Sequence, residues 1–221
     1  MSRHFYPQNV FAKSILKHVE TGAVPKKLLD VPCGNGETSW HFSRNKGLLV
    51  YGYDIDRNSV ETAKSNYKAK NLLFETKGIF EVIAEQDDVD YFCIINSLFL
   101  LPEPERILRE ASGKIRKDGL LCIIVPNVEG RNFKWFNSRN PDVNKLILHR
   151  TEFESYFAQQ GLQIKSSKAL AYAHTMGRRD IKFFSIFSHF YLYILNFFQT
   201  RLSIGKPNYY LIVLKKGRNE G

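Results

Sequence analysis

The residues best suited to chemistry in this sequence lie in a short turn after an apolar stretch. Positions 28–36 read Leu-Leu-Asp-Val-Pro-Cys-Gly-Asn-Gly, so that the carboxylate of Asp30 precedes a Gly-x-Gly turn formed by Gly34 and Gly36. Glycine has no side chain, and a strand that ends in such a turn before a helix lets a ligand approach the backbone closely. The pattern therefore predicts a ligand site in which Gly34 and Gly36 are the positions where the ligand presses on the backbone.

A second carboxylate follows the next apolar stretch. Asp54 ends the predicted strand 48–53 and lies 18 residues after Gly36. An acidic residue about 20 residues beyond a glycine-rich turn is placed to accept hydrogen bonds from the two hydroxyl groups of a ribose. Asp56 is predicted instead to cap the next helix. The two carboxylates together indicate a nucleoside-containing cofactor.

The turn resembles motif I of the class I methyltransferases, which use S-adenosylmethionine. That motif has the form D-x-G-C-G-x-G, and the sequence matches it at Asp30, Cys33, Gly34 and Gly36. It departs at Pro32, which replaces the first glycine, fixes one backbone angle and removes one N–H. The resemblance implies that S-adenosylmethionine is the cofactor and that Asp30 lies near its methionine amino group.

The same resemblance assigns further contacts with the cofactor. It makes Asp54 the ribose ligand and places Ile55 on the adenine. After the third strand the family usually has an aspartate for the adenine amino group, and that register falls near Gly78, which indicates a backbone contact there and at Ile79. The segment 90–97 resembles motif IV, which puts the end of the fourth strand beside the cofactor. The cofactor-binding residues predicted at that strand end are Ile95 and Asn96.

A dinucleotide cofactor fits the turn less well. The dinucleotide fingerprint has a third glycine three residues after Gly36, where this sequence has Ser39. Pro32 also replaces the first glycine of that fingerprint. The Asp-Pro-Pro-Tyr type signature of amino-directed DNA methylases and the Pro-Cys nucleophile of cytosine-5 enzymes are both absent after the predicted fourth strand.

Strand-like and helix-like stretches alternate along the chain, which predicts a mostly parallel sheet with helices on both faces. With the resemblance, the expected fold is α/β, a Rossmann-like three-layer sandwich whose seven-stranded, mostly parallel sheet has its last strand antiparallel. The 221 residues suit one domain, 1–221. Residues 166–206 are expected to form a basic, aromatic-rich helical insertion or lid before the last strand.

Methyl transfer needs alignment of the acceptor and, for some acceptors, a base. The acceptor is expected to approach from the loops after the fourth and fifth strands. His149 is the catalytic candidate, because an unperturbed imidazole titrates near neutral pH. The alternative is that His149 only braces its loop. Asn127 and Glu129 are candidate substrate contacts.

The positive charge is concentrated near the C-terminus. The chain carries a net charge of +10, and residues 165–221 hold ten Lys or Arg against two acidic residues. Residues 183–198 contain eight aromatic side chains. This segment is shorter than the roughly 20 apolar residues that a membrane-spanning helix needs. Two interpretations stay open: a helix packed on the core or over the substrate, and a helix at the surface of an anionic membrane.

The function expected from the sequence is methylation of a small-molecule acceptor, on oxygen first and on carbon as the second choice. The expected acceptor includes apolar or lipid-linked molecules. The three cysteines have no metal-ligand spacing, so no metal is predicted, and they suit a reducing cytoplasm. The protein is expected to be cytoplasmic, with peripheral membrane contact in the second interpretation. The alternatives are an RNA or protein methyltransferase and a non-catalytic cofactor-binding partner subunit, with nucleic acid the less favoured partner.

Overall fold

The computed structural model of the chain describes residues 8–20, 22–127, 129, 152–170 and 207–217. The helices in these ranges are α1 (Gln8–Leu16), α2 (Glu37–Ser43), α3 (Arg57–Asn66), α4 (Ile79–Glu85), α5 (Pro104–Lys114) and α6 (Phe153–Gln159). The strands are β1 (Lys26–Asp30), β2 (Leu48–Asp54), β3 (Leu72–Thr76), β4 (Val89–Ile95), β5 (Ile115–Pro126), β6 (Leu162–Leu170) and β7 (Tyr209–Lys216). A short 3₁₀ helix covers Leu98–Leu100.

The strands form one seven-stranded sheet in the order β3-β2-β1-β4-β5-β7-β6. The strands β1 to β5 pair in parallel, and β7 runs antiparallel to both of its neighbours, β5 and β6. The predicted mostly parallel sheet with an antiparallel last strand is confirmed. Because parallel strands end at the same edge, the loops after β1, β2 and β4 meet beside the switch point of the sheet.

The core has two layers because neighbouring residues of a strand point to opposite faces of the sheet. Leu29 packs into the layer that includes α4, α5 and α6, whereas Leu28 packs into the layer that includes α1 and α2. Every residue of β4 is buried, as predicted from its unbroken apolar run. Each fully buried Leu contributes about 1.5–3 kcal/mol to folding, so the central strands anchor the loops that follow them.

Three local features differ from the sequence prediction. Helix α4 was not predicted, although Ile79, Val82 and Ile83 are buried at helical spacing. The sequence Lys117-Asp118-Gly119 predicts a turn that ends the preceding helix, but these residues form a bulge within β5, where the pairing with β4 shifts between Val89 and Tyr91. The third strand, which the sequence predicts at residues 72–74, extends to Thr76.

The C-terminal part of the chain is described only in part. Strand β6 extends to Leu170, so residues 166–170 of the proposed helical insertion belong to the sheet. Residues 171–206, including the aromatic segment 183–198, lie outside the described residues, as does His149. None of the helices that the structure describes has the length and apolar character needed to span a membrane.

Candidate active site

The turn after β1 is fixed by hydrogen bonds to both neighbouring strands. The backbone N–H of Val31 donates to the carbonyl of Cys93 at 3.0 Å, and that of Cys33 donates to the carbonyl of Tyr53 at 2.7 Å. The peptide bond between Val31 and Pro32 is cis. Pro32 has no N–H to contribute, and the turn is held through the residues on either side of it.

Asp54 connects the two loops that the sequence predicted to bind the cofactor. Its Oδ2 accepts a hydrogen bond of 2.7 Å from the N–H of Gly34, and its Oδ1 accepts one of 2.9 Å from the N–H of Asp56. The side chain is nearly buried, with 9% of the residue exposed. A carboxylate offers about four lone-pair positions, so each oxygen can still accept one further hydrogen bond. Asp54 can therefore hold the turn and bind two hydroxyl groups at the same time.

The two glycines of the turn have different roles. Both adopt positive φ angles, 52° at Gly34 and 78° at Gly36. A Cβ atom on Gly36 would lie 2.6 Å from Cβ of Ala63 and 2.6 Å from the ring of Phe74, whereas one on Gly34 would meet nothing within 4 Å. The protein's own α3 and β3 therefore require glycine at position 36, and the backbone contact of Gly36 with a ligand stays a prediction. The open space at Gly34 fits a bound cofactor.

This difference gives a test. Gly36→Ala is expected to lower the free energy of unfolding by about 2–4 kcal/mol, from backbone strain and overpacking. Gly34→Ala is expected to cost only about 1 kcal/mol, because the strain is present without the clash. Chemical denaturation of the two variants measures this, and equal losses would contradict the assignment. We expect the Gly34 variant to fold and to bind S-adenosylhomocysteine poorly, since its new methyl group enters the open space.

Asp30 is a buried carboxyl group, and only one of its two oxygens has a hydrogen-bond partner among the described residues. Only 1% of the residue is exposed, and its Oδ2 accepts a hydrogen bond of 2.6 Å from the hydroxyl of Ser39. Its Oδ1 is buried and has no hydrogen-bond partner within the part of the chain that the structure describes. Burial, reinforced by the charge of Asp54 and opposed by the Ser39 hydrogen bond, raises the pKa of Asp30 to about 7. Such an oxygen is suited to an ammonium group, which would donate a hydrogen bond to it and stabilise the charged form of the carboxyl group.

An exposed apolar side chain lies beside the second carboxylate. Ile55 is 78% exposed, and its Cδ1 is 3.8 Å from the position of a Cβ on Gly78. Gly78 immediately precedes α4, and its N–H donates to the Glu81 carboxylate at 3.4 Å. Ile79 is buried as the first residue of that helix. The structure thus places Ile55 and Gly78 together, next to Asp54, as a flat adenine would require.

The end of β4 forms the other side of the site. Ile95 is the last residue of β4, and Asn96 has a positive φ of 53° with its N–H bonded to the carbonyl of Ile124 at 2.8 Å. The next residue, Ser97, is buried, and its hydroxyl has no partner among the described residues. Leu100, in the following 3₁₀ helix, is 50% exposed. A polar group and an apolar side chain therefore lie at the edge where an acceptor would approach.

The structure gives two other predicted residues different surroundings. The amide of Asn127 donates to the carbonyl of Pro207 at 2.8 Å and its Oδ1 accepts from the N–H of Glu129 at 3.2 Å, so Asn127 joins the end of β5 to the start of β7. Burial, together with the charges of Asp30 and Asp54, raises the pKa of the Cys33 thiol, which keeps it in its neutral form. The hydrogen bonds give Asn127 a structural role, and the substrate contact predicted for it stays a prediction.

Two functional candidates were missed from the sequence. Ser39 was noted only as a departure from the dinucleotide pattern, yet it bonds Asp30 from the first turn of α2. Its spacing of three residues after Gly36 could have indicated this, since residues at the start of the helix face back toward the strand end. Ser97 carried no pattern that distinguishes it from a core serine.

This sheet order, with a carboxylate at the end of each of β1 and β2 and a glycine turn between them, is the arrangement of a Rossmann-like methyltransferase domain. Residues 25–175 match the family model described as a methyltransferase domain. The chain belongs to this family.

Proteins of known activity support the same class. The chain is 26% identical over 153 residues to 27-O-demethylrifamycin SV methyltransferase of Amycolatopsis mediterranei, covering 64% of this chain and 56% of that protein. It is 23% identical over 162 residues to a ubiquinone biosynthesis O-methyltransferase of Neisseria meningitidis, covering 66% and 68%. The chain spans 36% and 56% of the length of the first curated relatives that it matches.

A solved structure has the same fold. A methyltransferase of Haloferax volcanii, solved in complex with the Trm112 methyltransferase activator, superposes with a TM-score of 0.71 at 15% identity, covering 98% of this chain and 91% of that one. At this identity the likeness concerns the fold alone. It extends over both edges of the sheet.

Proposed function

We propose that this protein transfers a methyl group from S-adenosylmethionine to an oxygen atom of a small-molecule acceptor. The observation that carries the proposal is the pair of buried carboxyl groups, Asp30 and Asp54, at the ends of neighbouring strands with unused acceptor positions. The choice of oxygen is supported by the two O-methyltransferases to which the chain is similar. Asp30, Pro32, Cys33, Gly34 and Gly36 form the proposed wall for the methionine part of the cofactor.

The rest of the proposed site binds the nucleoside. Asp54 accepts hydrogen bonds from the ribose hydroxyls, and Ile55, Gly78 and Ile79 border the adenine. Ile95 and Asn96 close the site on the acceptor side. When bound, the cofactor supplies a methyl group activated by a positively charged sulfur. The protein's own contribution is alignment of the acceptor oxygen with that carbon and removal of the acceptor proton.

His149 is the proposed base for that proton. The prediction is that His149→Asn lowers turnover by about 100-fold, the size of a typical general-base contribution, and leaves the Kd for S-adenosylhomocysteine unchanged. Turnover is measured as a function of pH. In the wild type it should rise near neutral pH as the imidazole of His149 loses its proton, and this rise should be missing from the variant. Turnover of the variant close to that of the wild type would show that His149 is not the base.

The function is tested by following a labelled methyl group. The purified protein is incubated with S-adenosylmethionine that carries the label and with phenols that have a free hydroxyl group. The phenols are used with and without an apolar tail, and Asp54→Ala serves as the inactive control. Label in an ether product of the wild type alone supports the proposal. Label only in added RNA or protein would favour those acceptors, and binding of the cofactor without any transfer would favour a partner subunit.

The proposal includes contact with an anionic membrane from the cytoplasmic side. It is supported by the ten basic residues within 165–221, of which Lys165, Lys168, Lys215 and Lys216 lie on β6 and β7. Basic groups near an anionic leaflet each contribute about 1 kcal/mol of attraction, which salt weakens. Sedimentation with anionic vesicles at low salt measures this, and an unchanged supernatant would contradict it.

A further inference from the structure

Among the described residues, the titratable groups that interact electrostatically with Asp30 are a carboxyl group and two thiols. The Asp54 carboxylate acts on Asp30 from β2, and the Asp30 charge in turn acts on the thiols of Cys33 in the turn and Cys93 on β4. No ion pair to Asp30 is formed by a described lysine, arginine or histidine. A buried carboxylate without a cation is costly, so among the described residues the site is expected to hold either a proton or a cation that these residues do not supply.

The only described hydrogen bond to the Asp30 side chain comes from Ser39. The Ser39 residue is fully buried, and its hydroxyl lies 2.6 Å from Oδ2 of Asp30. A Cβ built on Gly52 would lie 3.0 Å from the Ser39 hydroxyl oxygen, so β2 limits where this hydroxyl can go. With Oδ2 held in this way, the carboxyl plane is fixed and the second oxygen, Oδ1, is the one left without a partner.

We propose that Ser39 is a positioning residue for the cofactor: it holds the Asp30 carboxyl group by one oxygen so that the other receives the ammonium group of the cofactor's methionine, in exchange for a proton. The proposal rests on the cofactor site proposed above. It adds that binding is coupled to release of the Asp30 proton. The proton leaves Oδ1 for solvent, and the incoming ammonium replaces its charge, so the buried site carries the same net charge before and after.

The electrostatics of the site agree with this exchange. Burial raises the pKa of Asp30 to about 7, so near neutral pH the carboxyl group is protonated in part of the molecules. The Ser39 hydrogen bond favours the charged form and acts against burial. Removing it is expected to leave a larger fraction of the protein protonated at neutral pH and to make cofactor binding harder there.

The test compares Ser39→Ala with Ser43→Ala. Ser43 lies on the same helix and is equally buried, but its hydroxyl donates to the carbonyl of Trp40 at 2.8 Å and does not reach Asp30. Each protein is titrated with S-adenosylhomocysteine by calorimetry at pH 6, 7 and 8, where the amino group of the free ligand is mostly charged, in buffers of different ionisation enthalpy, so that both the Kd and the number of protons released are measured.

The wild type is expected to release about half a proton at pH 7 and only about a tenth at pH 8. Ser39→Ala is expected to bind about tenfold more weakly at pH 7, with more proton release, and to come closer to the wild type at pH 8, since loss of one hydrogen bond to a charged group has an effect of this size. Ser43→Ala is expected to match the wild type at every pH. A merely structural role of Ser39 would instead weaken binding equally at all three pH values.

The outcomes separate this inference from the proposed cofactor site. If the folded wild type binds no S-adenosylhomocysteine at any pH, the cofactor site itself is wrong. If the wild type binds but releases no proton, or if Ser39→Ala changes neither the proton count nor the pH dependence of the Kd, the cofactor site stands and the role of Ser39 is overturned. A second measurement, thermal unfolding of the free proteins, should show Ser39→Ala losing more stability at pH 8 than at pH 5.

Discussion

Asp54→Ala is expected to weaken binding of S-adenosylhomocysteine by at least about 100-fold. The carboxylate is assigned two charge-assisted hydrogen bonds to the ribose, each with a contribution of about 1.5–3 kcal/mol. It also holds the N–H groups of Gly34 and Asp56, so its loss releases the loops on both sides of the nucleoside. Calorimetric titration measures the Kd, and circular dichroism confirms that the variant is folded.

Asp56→Ala is the matched control for this prediction. Asp56 lies two residues further along, is exposed, and caps α3 by accepting hydrogen bonds from the N–H groups of Asn58 and Ser59. Its removal is expected to lower thermal stability slightly and to leave the Kd close to that of the wild type. Binding lost equally in both variants would mean that the effect comes from the local fold, and the ribose contact of Asp54 would then be wrong.

Asp30→Asn is expected to make the free protein more stable and unable to bind the cofactor well. The pKa of Asp30 is about 7 in the folded protein and ordinarily near 3.8, so between these values the folded state holds a proton that the unfolded state lacks. The free energy of unfolding therefore falls as the pH rises from about 4 to 7 and stays low above that range. At pH 8 the cost of the charged group is roughly 1–4 kcal/mol, and the neutral amide removes it.

Thermal unfolding as a function of pH tests the stability part. The Tm of Asp30→Asn should exceed that of the wild type by several degrees at pH 8, and the difference should shrink toward pH 4, where both side chains are neutral. The Kd for S-adenosylhomocysteine at pH 8 should rise by about 100-fold, because the amide cannot pair with an ammonium group. A variant less stable than the wild type at pH 8 would show that the Asp30 charge is compensated in the free protein.

Much of the fold could be predicted because its signals are local and repeated. The alternation of strand and helix patterns and the apolar run in β4 indicated a parallel sheet, and the apolar run 48–53 placed Asp54 at the end of β2. Helix α4 was missed because Gly78, the residue before it, has no side chain that could cap the helix, so a few buried apolar positions were its only signal.

The sequence indicated which residues form the candidate site but not what each of them does there. The chemistry of Asp30 depends on which of its two oxygens has a partner, and that follows from the packing of Ser39 between two strands. The requirement for glycine at position 36 comes from Ala63 and Phe74, which are far away in sequence. Neither contact leaves a pattern within the turn itself, so only the folded arrangement shows them.

The position of β7 between β5 and β6 has a consequence for how the chain acquires its structure. Strand β6 is synthesised before β7 but pairs only with it, so β6 has no place in the sheet until β7 has emerged from the ribosome and bound to β5. Until then, the edge of β5 stays open to pairing with other chains, and closing it requires contacts that are distant in sequence and therefore slow to form. The final step of folding is thus expected to be docking of β6 and β7 together, which makes this half of the sheet the part most exposed to aggregation during synthesis.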